Sequence, residues 1–322
     1  SADQENRAAY LRVTAQLTPA TSATAGWRYE QQRIDAQDAF DPTAPGAAFG
    51  SGALAGSQTL NEPAWEVSLR QALSPALALS ARAGGGFRFA TVDEIYETSA
   101  LFTRQFQFLR PQTSEGYDLG AEYASRAWFA RATVFQLDVD DEIHLDPYSA
   151  GVGNTNLPPS RRHGLELEAR WQPGQSLSVQ AAYTYTDARF REGTLPGSVF
   201  TQQNVDIAGK AVPLVPEHQA SARVVWQMAP AWRLSGSARH VSSQFMENDE
   251  GNTLGVKIPA YSVVDLRLDF LQGPLTLTAA VDNLFDERYY NYAVRSQFVP
   301  DRYNAYPLPE RTFWVSLQVR LP

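Results

Sequence analysis

Apolar and polar residues alternate along several stretches of this 322-residue chain. Between residues 176 and 189 the apolar positions are Leu177, Val179, Ala181, Tyr183 and Tyr185, and Ser178, Gln180, Thr184 and Thr186 lie between them. A repeat of two residues places successive side chains on opposite faces of an extended strand, whereas a helix needs a repeat of about 3.6. The pattern therefore predicts strands that have one apolar face.

Charged residues occupy only one face of these strands. In the stretch 165–171 the charges are Glu166, Glu168 and Arg170, and in the stretch 264–270 they are Asp265, Arg267 and Asp269. An Arg or Lys that faces lipid at the middle of a bilayer costs about 2–4 kcal/mol, so a strand that crosses a membrane keeps its charges on the other face. The chain is therefore expected to be all-β and to form a transmembrane antiparallel β-barrel.

The composition excludes several other classes of protein. The sequence has no Cys, which rules out thiolate metal sites, disulfides and cysteine nucleophiles. The formal net charge of -8, without runs of Lys or Arg, argues against a nucleic-acid partner. No apolar run approaches the roughly 20 residues of a membrane-spanning helix. A mean hydropathy of -0.34 is compatible with a membrane barrel, because only alternate residues of a barrel strand face lipid.

Short breaks and long connections alternate between the strands. The short breaks lie at residues 18–20, 74–76, 125–126, 172–175, 229–230 and 272–274. The long connections cover residues 37–61, 88–112, 145–160, 190–214, 247–259 and 284–309. Short turns at one end and long loops at the other are typical of outer-membrane barrels. The strands that lie between these breaks and connections number about thirteen. Since single-chain bacterial barrels have an even number of strands, we expect the chain to be a C-terminal segment of a larger barrel.

Aromatic residues mark the two ends of the expected membrane band. Trp128, Trp171, Trp226 and Trp232 lie close to short breaks, and Tyr123, Tyr183 and Tyr185 are placed higher, as in interfacial girdles. The alternative is that these rings belong to the core of a β-sandwich or a β-propeller. The short breaks recur at about the spacing of propeller blades, but each repeat holds two long strands where a blade needs four short ones.

Several motifs give the chain a family resemblance. Residues 281–286 read Val-Asp-Asn-Leu-Phe-Asp, and residues 306–311 read Tyr-Pro-Leu-Pro-Glu-Arg. Residues 86–96 read Gly-Phe-Arg-Phe-Ala-Thr-Val-Asp-Glu-Ile-Tyr, and residues 109–117 read Leu-Arg-Pro-Gln-Thr-Ser-Glu-Gly-Tyr. In their order and spacing these motifs resemble those of the TonB-dependent outer-membrane receptors.

The resemblance implies a barrel of roughly 22 strands around an N-terminal plug. Residues 1–322 would form one segment from the C-terminal part of that barrel, and the plug would lie upstream. It also implies the outer membrane of a Gram-negative bacterium, contact with lipid and lipopolysaccharide, and coupling to the TonB-ExbB-ExbD complex through the plug. A monomer with no cofactor, no resident metal and no catalytic residues is expected.

The ligand that the resemblance implies is a small-molecule metal chelate, first of all a ferric siderophore. Arginines can pair with anionic chelate groups, and aromatic rings can cover an apolar scaffold. Two long connections are rich in both types, with candidates Arg88, Phe89, Tyr96, Phe102, Arg104 and Phe106 in one and Tyr290, Tyr292, Arg295, Arg302 and Tyr303 in the other. The alternative is that the rings pack on one another and the arginines pair with nearby acids.

Other functions stay open at this point. Asp138, Asp140 and Asp249 are candidate Ca²⁺ ligands because carboxylates suit that ion, and the alternative for Asp138 and Asp140 is an acid that faces the lumen and pairs with arginine. Cobalamin and haem are alternative cargoes, although residues 89–112 contain no His. A passive porin is the alternative from another class. An outer-membrane hydrolase would need a Ser or Asp beside a histidine, and the four are His144, His163, His218 and His240.

Overall fold

Nearly all of the described backbone is extended. A computed structural model describes residues 2–37, 54–98, 104–144, 154–195, 203–296, 299 and 301–320. The elements are β1 (Ala2–Thr18), β2 (Thr21–Gln37), β3 (Ala55–Ala72), β4 (Leu77–Arg88), α1 (Val92–Ile95), β5 (Tyr96–Thr98), β6 (Arg104–Phe106), β7 (Gln112–Ala124), β8 (Trp128–Asp140), β9 (Glu142–His144), β10 (Thr155–Leu157), β11 (Ser160–Trp171), β12 (Leu177–Phe190), β13 (Thr194–Leu195), β14 (Val205–Asp206), β15 (His218–Ala229), β16 (Trp232–Val241), β17 (Tyr261–Gln272), β18 (Leu275–Asp282), β19 (Tyr290–Arg295), β20 (Tyr303–Pro307) and β21 (Thr312–Val319). In these ranges no helix has the length and apolar character needed to cross a membrane.

The long strands form one 13-stranded antiparallel sheet, ordered β1-β2-β3-β4-β7-β8-β11-β12-β15-β16-β17-β18-β21. Each strand pairs with the next long strand of the chain, which confirms the expected count and the six short breaks. The other strands form two-stranded ribbons inside the long connections. The connection expected to extend to residue 61 is shorter than expected, because β3 already begins at Ala55.

One apolar face continues across the whole sheet. Directly opposed residues of an antiparallel pair share a face, and one such row is Leu119, Val134, Leu165 and Tyr185. Leu119 and Val134 keep 60% and 50% of their surface exposed. Large apolar side chains that the protein itself leaves uncovered need apolar surroundings, as on the outer face of a membrane barrel. The expected alternation is confirmed.

Aromatic residues gather at both ends of the apolar face. Trp128 stacks on Trp171 at the short-turn end, with ring centroids 5.7 Å apart. At the long-loop end the ring of Tyr185 lies 5.3 Å from that of His218. The higher placement expected for Tyr123 is wrong, because β7 runs toward its short turn and Tyr123 is the last residue but one of that strand.

Ion pairs connect neighbouring strands on the opposite face, which is called the inner face below. Arg82 of β4 lies 3.3 Å from Glu66 of β3 and 3.6 Å from Asp118 of β7. Glu122 of β7 binds Arg131 of β8 at 2.8 Å. Each of these pairs is partly exposed and contributes about 0–1 kcal/mol, so their main effect is to neutralise this part of the inner face.

Asp269 of β17 is a buried charged residue of the inner face, with an exposed fraction of 0%. Arg233 of β16 and Arg267 of β17 both bind its carboxylate at 2.8 Å, and the hydroxyl of Thr278 donates to it at 2.6 Å. A buried carboxylate without such partners would be strongly unfavourable. These contacts therefore fasten the last strands of the sheet to one another.

Buried hydrophobic residues concentrate at the end of the sheet that carries the long connections. A single-layered sheet has no second layer to pack against, so the connections themselves cover its upper end. The buried clusters are Ile34, Ala36, Ala90, Ile95, Leu109 and Ile143; Leu157, Ala188, Phe190, Ile207 and Val212; Met246, Leu254, Ile258 and Ala293; and Val241, Tyr261 and Val263. The long connections are thus packed caps with cores of their own.

Candidate functional site

The connection 88–112 is held in place by its own charged groups. The carboxylate of Glu94 accepts hydrogen bonds from the N–H of Thr91 at 2.8 Å and from Arg88 Nη1 at 2.7 Å. Burial raises the pKa of Glu94, but the Thr91 N–H and the Arg88 guanidinium lower it more, so this pKa lies below its ordinary value. Arg88 also donates to the carbonyl oxygen of Ile143 at 3.4 Å. This candidate ligand residue therefore has protein partners, although 42% of its side chain is exposed.

The aromatic candidates of this connection pack on one another. Phe89 is only 8% exposed, and its ring lies 4.9 Å from that of Phe87. Tyr96 and Phe106 face each other across the β5–β6 ribbon, with ring centroids 5.4 Å apart. Phe89 thus lies in the interior of the cap, and the half-buried ring of Tyr96 is closer to its surface. Two further candidates lie outside the described residues, namely Phe102 and the side chain of Arg104.

A buried carboxylate locks the connection after β18 to the connection after β16. Asp249 is 1% exposed and accepts hydrogen bonds from Arg295 Nη1 at 2.9 Å and from the N–H groups of Thr253 and Leu254 at 2.8 and 3.2 Å. Arg295 Nη1 also donates to Thr253 Oγ1 at 2.7 Å. A buried charge is tolerated when it is paired and hydrogen-bonded in this way. Arg295, a candidate ligand residue, therefore serves as a link between two loops.

The tyrosine candidates lie on the connection after β18. Burial and a hydrogen bond with Tyr303 raise the pKa of Tyr290 to about 12. The hydroxyl of Tyr292 donates to the carboxylate of Glu247. Tyr292 and Tyr303 remain 37% and 39% exposed, and Arg302 is exposed as well. The structure thus brings three exposed candidates onto one loop surface: Tyr292, Arg302 and Tyr303.

The two motifs near the end of the sequence bind each other. The side chain of Asn283 accepts a hydrogen bond from the N–H of Glu287 at 2.9 Å and donates to the carbonyl oxygen of Pro309 at 3.3 Å. Asp286 accepts a hydrogen bond from the N–H of Arg311 at 2.9 Å. Asn283 and Asp286 have φ angles of 53° and 59°, a conformation that Asn and Asp adopt more readily than most residues. The motifs therefore close the base of the last long connection.

The candidate calcium ligands do not converge on one point. Arg161 binds Asp138 at 2.7 and 3.1 Å, so the expected arginine pairing is present. Asp138 shares its face with Val134, however, and therefore lies on the outer side of the sheet and not on the inner one. The carboxylate of Asp249 is engaged by Arg295, and Asp140 is exposed. Within the described ranges no three His, Asp or Glu side chains lie close enough together to hold a metal ion.

A serine does lie beside one histidine. His240 Nδ1 is 2.8 Å from Ser262 Oγ, and the two residues are directly opposed on β16 and β17. A catalytic histidine also needs a group that orients its other ring nitrogen, and in the described part of the chain no carboxylate or amide makes that contact with His240. His218 bonds instead to the hydroxyl of Tyr183 at 2.8 Å.

A concave cavity of about 860 Å³ lies on the inner face of β11, β12 and β15 to β18. Arg223 and Arg239 line it, and the guanidinium of Arg239 lies 5.6 Å from the ring centroid of Tyr261. The ring of Tyr289, which enters from the last long connection, packs on Tyr261 with centroids 4.7 Å apart. The sequence alone does not predict this cavity, because nothing in it separates these two arginines from the others on the inner face.

Solved receptors have a similar fold. The siderophore receptor PiuA from Acinetobacter baumannii matches with a TM-score of 0.77, covering 98% of this chain and 43% of that chain at 16% identity. At this identity the likeness concerns the fold alone.

Sequence relatives point to the same group. The metal-pseudopaline receptor CntO of Pseudomonas aeruginosa is 27% identical over 195 residues, which is 59% of this chain and 26% of the relative. The vitamin B12 transporter BtuB of Photobacterium profundum is 24% identical over 251 residues, which is 74% of this chain and 37% of the relative. The matched part of this chain therefore spans well under half of the length of each relative. The TonB dependent receptor-like, beta-barrel family matches residues 1–284, and this chain belongs to that family.

Proposed function

We propose that this chain is the C-terminal part of the barrel of a receptor that imports a metal chelate across the outer membrane, and that the chelate is a ferric siderophore. The observation that carries the proposal is the single apolar face that continues across all 13 strands of the sheet. A sheet with one apolar face, one ion-paired face and long packed connections at one end suits a barrel that stands in lipid and presents loops outside the cell.

The proposed location is the outer membrane of a Gram-negative bacterium. There the apolar face would contact lipid acyl chains, and its upper aromatic end would meet lipopolysaccharide. The receptor would act as a monomer, since a closed barrel leaves no strand edge for another subunit to extend.

Energy for import would come from the TonB-ExbB-ExbD complex through a plug inside the barrel. The plug and the remaining strands would be supplied by parts of the whole protein outside residues 1–322. The share of the relatives that this chain covers, 26% of one and 37% of the other, supports that division. A plugged lumen requires that the ligand is bound at the outside before the plug rearranges.

The loops would make the first contacts with the chelate. Tyr292, Arg302 and Tyr303 carry the largest part of this proposal, because they lie exposed on the connection after β18, which is locked to the connection after β16. Arg88 and Tyr96 present the corresponding groups on the connection 88–112. Exposed arginine and tyrosine side chains together suit an anionic chelate with aromatic or apolar parts.

Uptake of radioactive iron tests the proposal. Cells that lack their own receptors would carry the full-length gene and receive ⁵⁵Fe-labelled siderophores, with and without a functional TonB. Import that requires TonB is expected. A flux of small solutes that does not depend on TonB would indicate a porin. TonB-dependent uptake of cyanocobalamin without uptake of iron would show that the cargo is cobalamin. Cobalamin is the second candidate because the chain is similar to a vitamin B12 transporter.

A further inference from the structure

Two glutamates are paired across neighbouring strands on the inner face of the sheet. Glu30 of β2 is directly opposite Glu62 of β3, a relation that puts the two Cβ atoms about 4.5–5.5 Å apart. Like charges that are directly opposed destabilise a sheet, because they repel each other at short range. Two ionised carboxylates at this position therefore need positive charge close by.

The protein compensates one of these two carboxylates. Glu30 is 8% exposed, and its carboxylate accepts hydrogen bonds from Arg28 Nε at 3.0 Å and from Asn6 Nδ2 at 2.8 Å. Glu62 differs, since within the described part of the chain its side chain has neither a hydrogen bond nor an ion pair. Arg88, at the upper end of the neighbouring β4, is bound to an acid of its own connection. The negative charge of Glu62 thus has no partner among the described side chains.

A buried amide oxygen lies next to the two carboxylates. Gln32 follows Glu30 on the same face of β2, is the diagonal neighbour of Glu62, and is 4% exposed. Its Oε1 atom is buried and has no hydrogen-bond partner among the described residues, whereas buried polar groups are almost always bonded. The next residue on this face, Ile34, packs into the connection 88–112. An acceptor without a donor, beside a carboxylate without a cation, indicates a positively charged ligand.

The ligand atoms available at this point are all oxygens. Carboxylate and amide oxygens are ligands of Ca²⁺, which binds them at about 2.3–2.6 Å in a flexible geometry. An ammonium or guanidinium group would need about 2.7–2.9 Å and more room for its own atoms. Gln32 Oε1 is out of reach of a water molecule. A bare metal ion therefore suits this enclosed position better than a side chain from another segment of the protein.

We propose that Glu30, Gln32 and Glu62 form a calcium site in the wall of the barrel. The ion would bind the carboxylate of Glu62, the amide oxygen of Gln32 and the remaining lone pairs of the Glu30 carboxylate, with water in the other positions. It would join β2 to β3 directly below the connection 88–112. The site is distinct from the acids that the sequence suggested as calcium ligands, and it does not depend on the proposed function.

Equilibrium dialysis with ⁴⁵Ca²⁺ tests the site. The full-length receptor, purified in detergent and freed of metal with a chelator, would be titrated over about 0.01–10 mM Ca²⁺, a range that includes the affinities of extracellular calcium modules. Glu62→Gln should weaken the binding of one Ca²⁺ by about tenfold or more, because a charged ligand is lost. Glu66→Gln is the matched control. Glu66 lies on the same strand and face but is paired with Arg82 at 3.3 Å, so this variant should bind Ca²⁺ like the wild type.

Gln32→Glu tests the site in the opposite direction. A third carboxylate should tighten the binding of Ca²⁺ about tenfold, whereas without a cation three neighbouring carboxylates would only repel one another. Hydrogen exchange in residues 28–34 should slow when Ca²⁺ is added to the wild type and to Gln32→Glu, but not when it is added to Glu62→Gln. An equal concentration of Mg²⁺ should displace little Ca²⁺, because Mg²⁺ demands a near-ideal octahedral geometry.

Any of three results would overturn the calcium site. The first is Ca²⁺ binding that is absent or that Glu62→Gln leaves unchanged, including the case in which this variant only destabilises the barrel because another segment supplies the positive charge. The second is binding that is not tighter in Gln32→Glu, and the third is displacement by an equal concentration of Mg²⁺. Dialysis needs neither a siderophore nor TonB. Its failure therefore leaves the proposed import untouched, and a failure of import leaves the calcium site untouched.

Discussion

Replacing Asp249 with Asn should loosen the contact between the connection after β16 and the connection after β18. The carboxylate of Asp249 binds Arg295 of the connection after β18 and the N–H groups of Thr253 and Leu254 in its own connection. Asparagine has almost the same size, so the variant removes the charge and turns one acceptor oxygen into a donor without leaving a cavity. The N–H groups that now point at the carboxylate would then compete for one neutral oxygen.

The expected effect follows from burial. Breaking a buried ion pair by removing one partner destabilises a protein by about 3–5 kcal/mol. The side chain of Arg295 keeps 27% of its surface exposed, whereas that of Asp249 keeps 0%. Water can therefore solvate part of the guanidinium when the carboxylate is removed, so we expect the lower end of this range, about 3 kcal/mol. If the free energy that keeps the two connections together falls by about 3 kcal/mol, the population in which they are apart rises roughly 150-fold.

Hydrogen exchange measured by mass spectrometry on the full-length receptor can detect this change. The peptides to follow are those that contain residues 246–254 and 290–295, where the N–H groups of Glu247 and Arg295 are bonded across the two loops. Glu310→Gln is the control, because Glu310 pairs with Arg288 while 58% and 82% of these side chains are exposed, which predicts a change of less than about 1 kcal/mol. If exchange in Asp249→Asn rises no more than in the control, the carboxylate does not hold the loops together.

Further predictions concern the sheet and the loop cores. Leu119→Arg on the apolar face should destabilise the barrel in lipid vesicles by about 2–4 kcal/mol in urea titrations, whereas Ser80→Arg on the inner face should have a much smaller effect. The lowered pKa of Glu94 stabilises the connection 88–112 above the ordinary value of 4.5; this stabilisation should be lost as the pH falls below that value, and hydrogen exchange in residues 91–96 should then accelerate, whereas a Glu94→Gln variant should show no such transition. In a tyrosine absorbance titration, Tyr290→Phe should remove a group that ionises at a pKa of about 12, and an unchanged curve above pH 11 would contradict the assignment.

The strands could be predicted from the sequence because one local rule determines them. A strand in lipid must alternate, and its turns must be short at one end, so the runs in residues 165–171 and 176–189 identify β11 and β12 directly. The wrong placement of Tyr123 shows that the direction in which a strand runs must be known in addition to its repeat of two residues. The number of residues between a side chain and a turn gives its position along the strand. That number places the side chain near the short turns or near the long connections only when the type of turn is known.

The loops could not be predicted in the same way, because their contacts join residues that are far apart in the chain. Arg295 meets Asp249 across 46 residues, and Asn156 bonds to the backbone of Arg110 across the same separation. No periodicity relates such positions. Even the local pair of Arg88 and Glu94 depends on the N-cap at Thr91, which orients the carboxylate toward the guanidinium.

Arginine-rich connections are a natural place to look for an anion site, yet residue type alone does not show which arginines already have an acidic partner. Arg295 stands in such a connection, and its charge is already neutralised by a buried carboxylate. Arg223 stands in a strand, where its sequence context resembles that of Arg82, but only Arg82 has acids within 4 Å on the strands beside it. Binding an external anion costs less when no internal partner has to be displaced. Whether an arginine already has such a partner becomes visible only when the register of neighbouring strands and the fold of the connections are known.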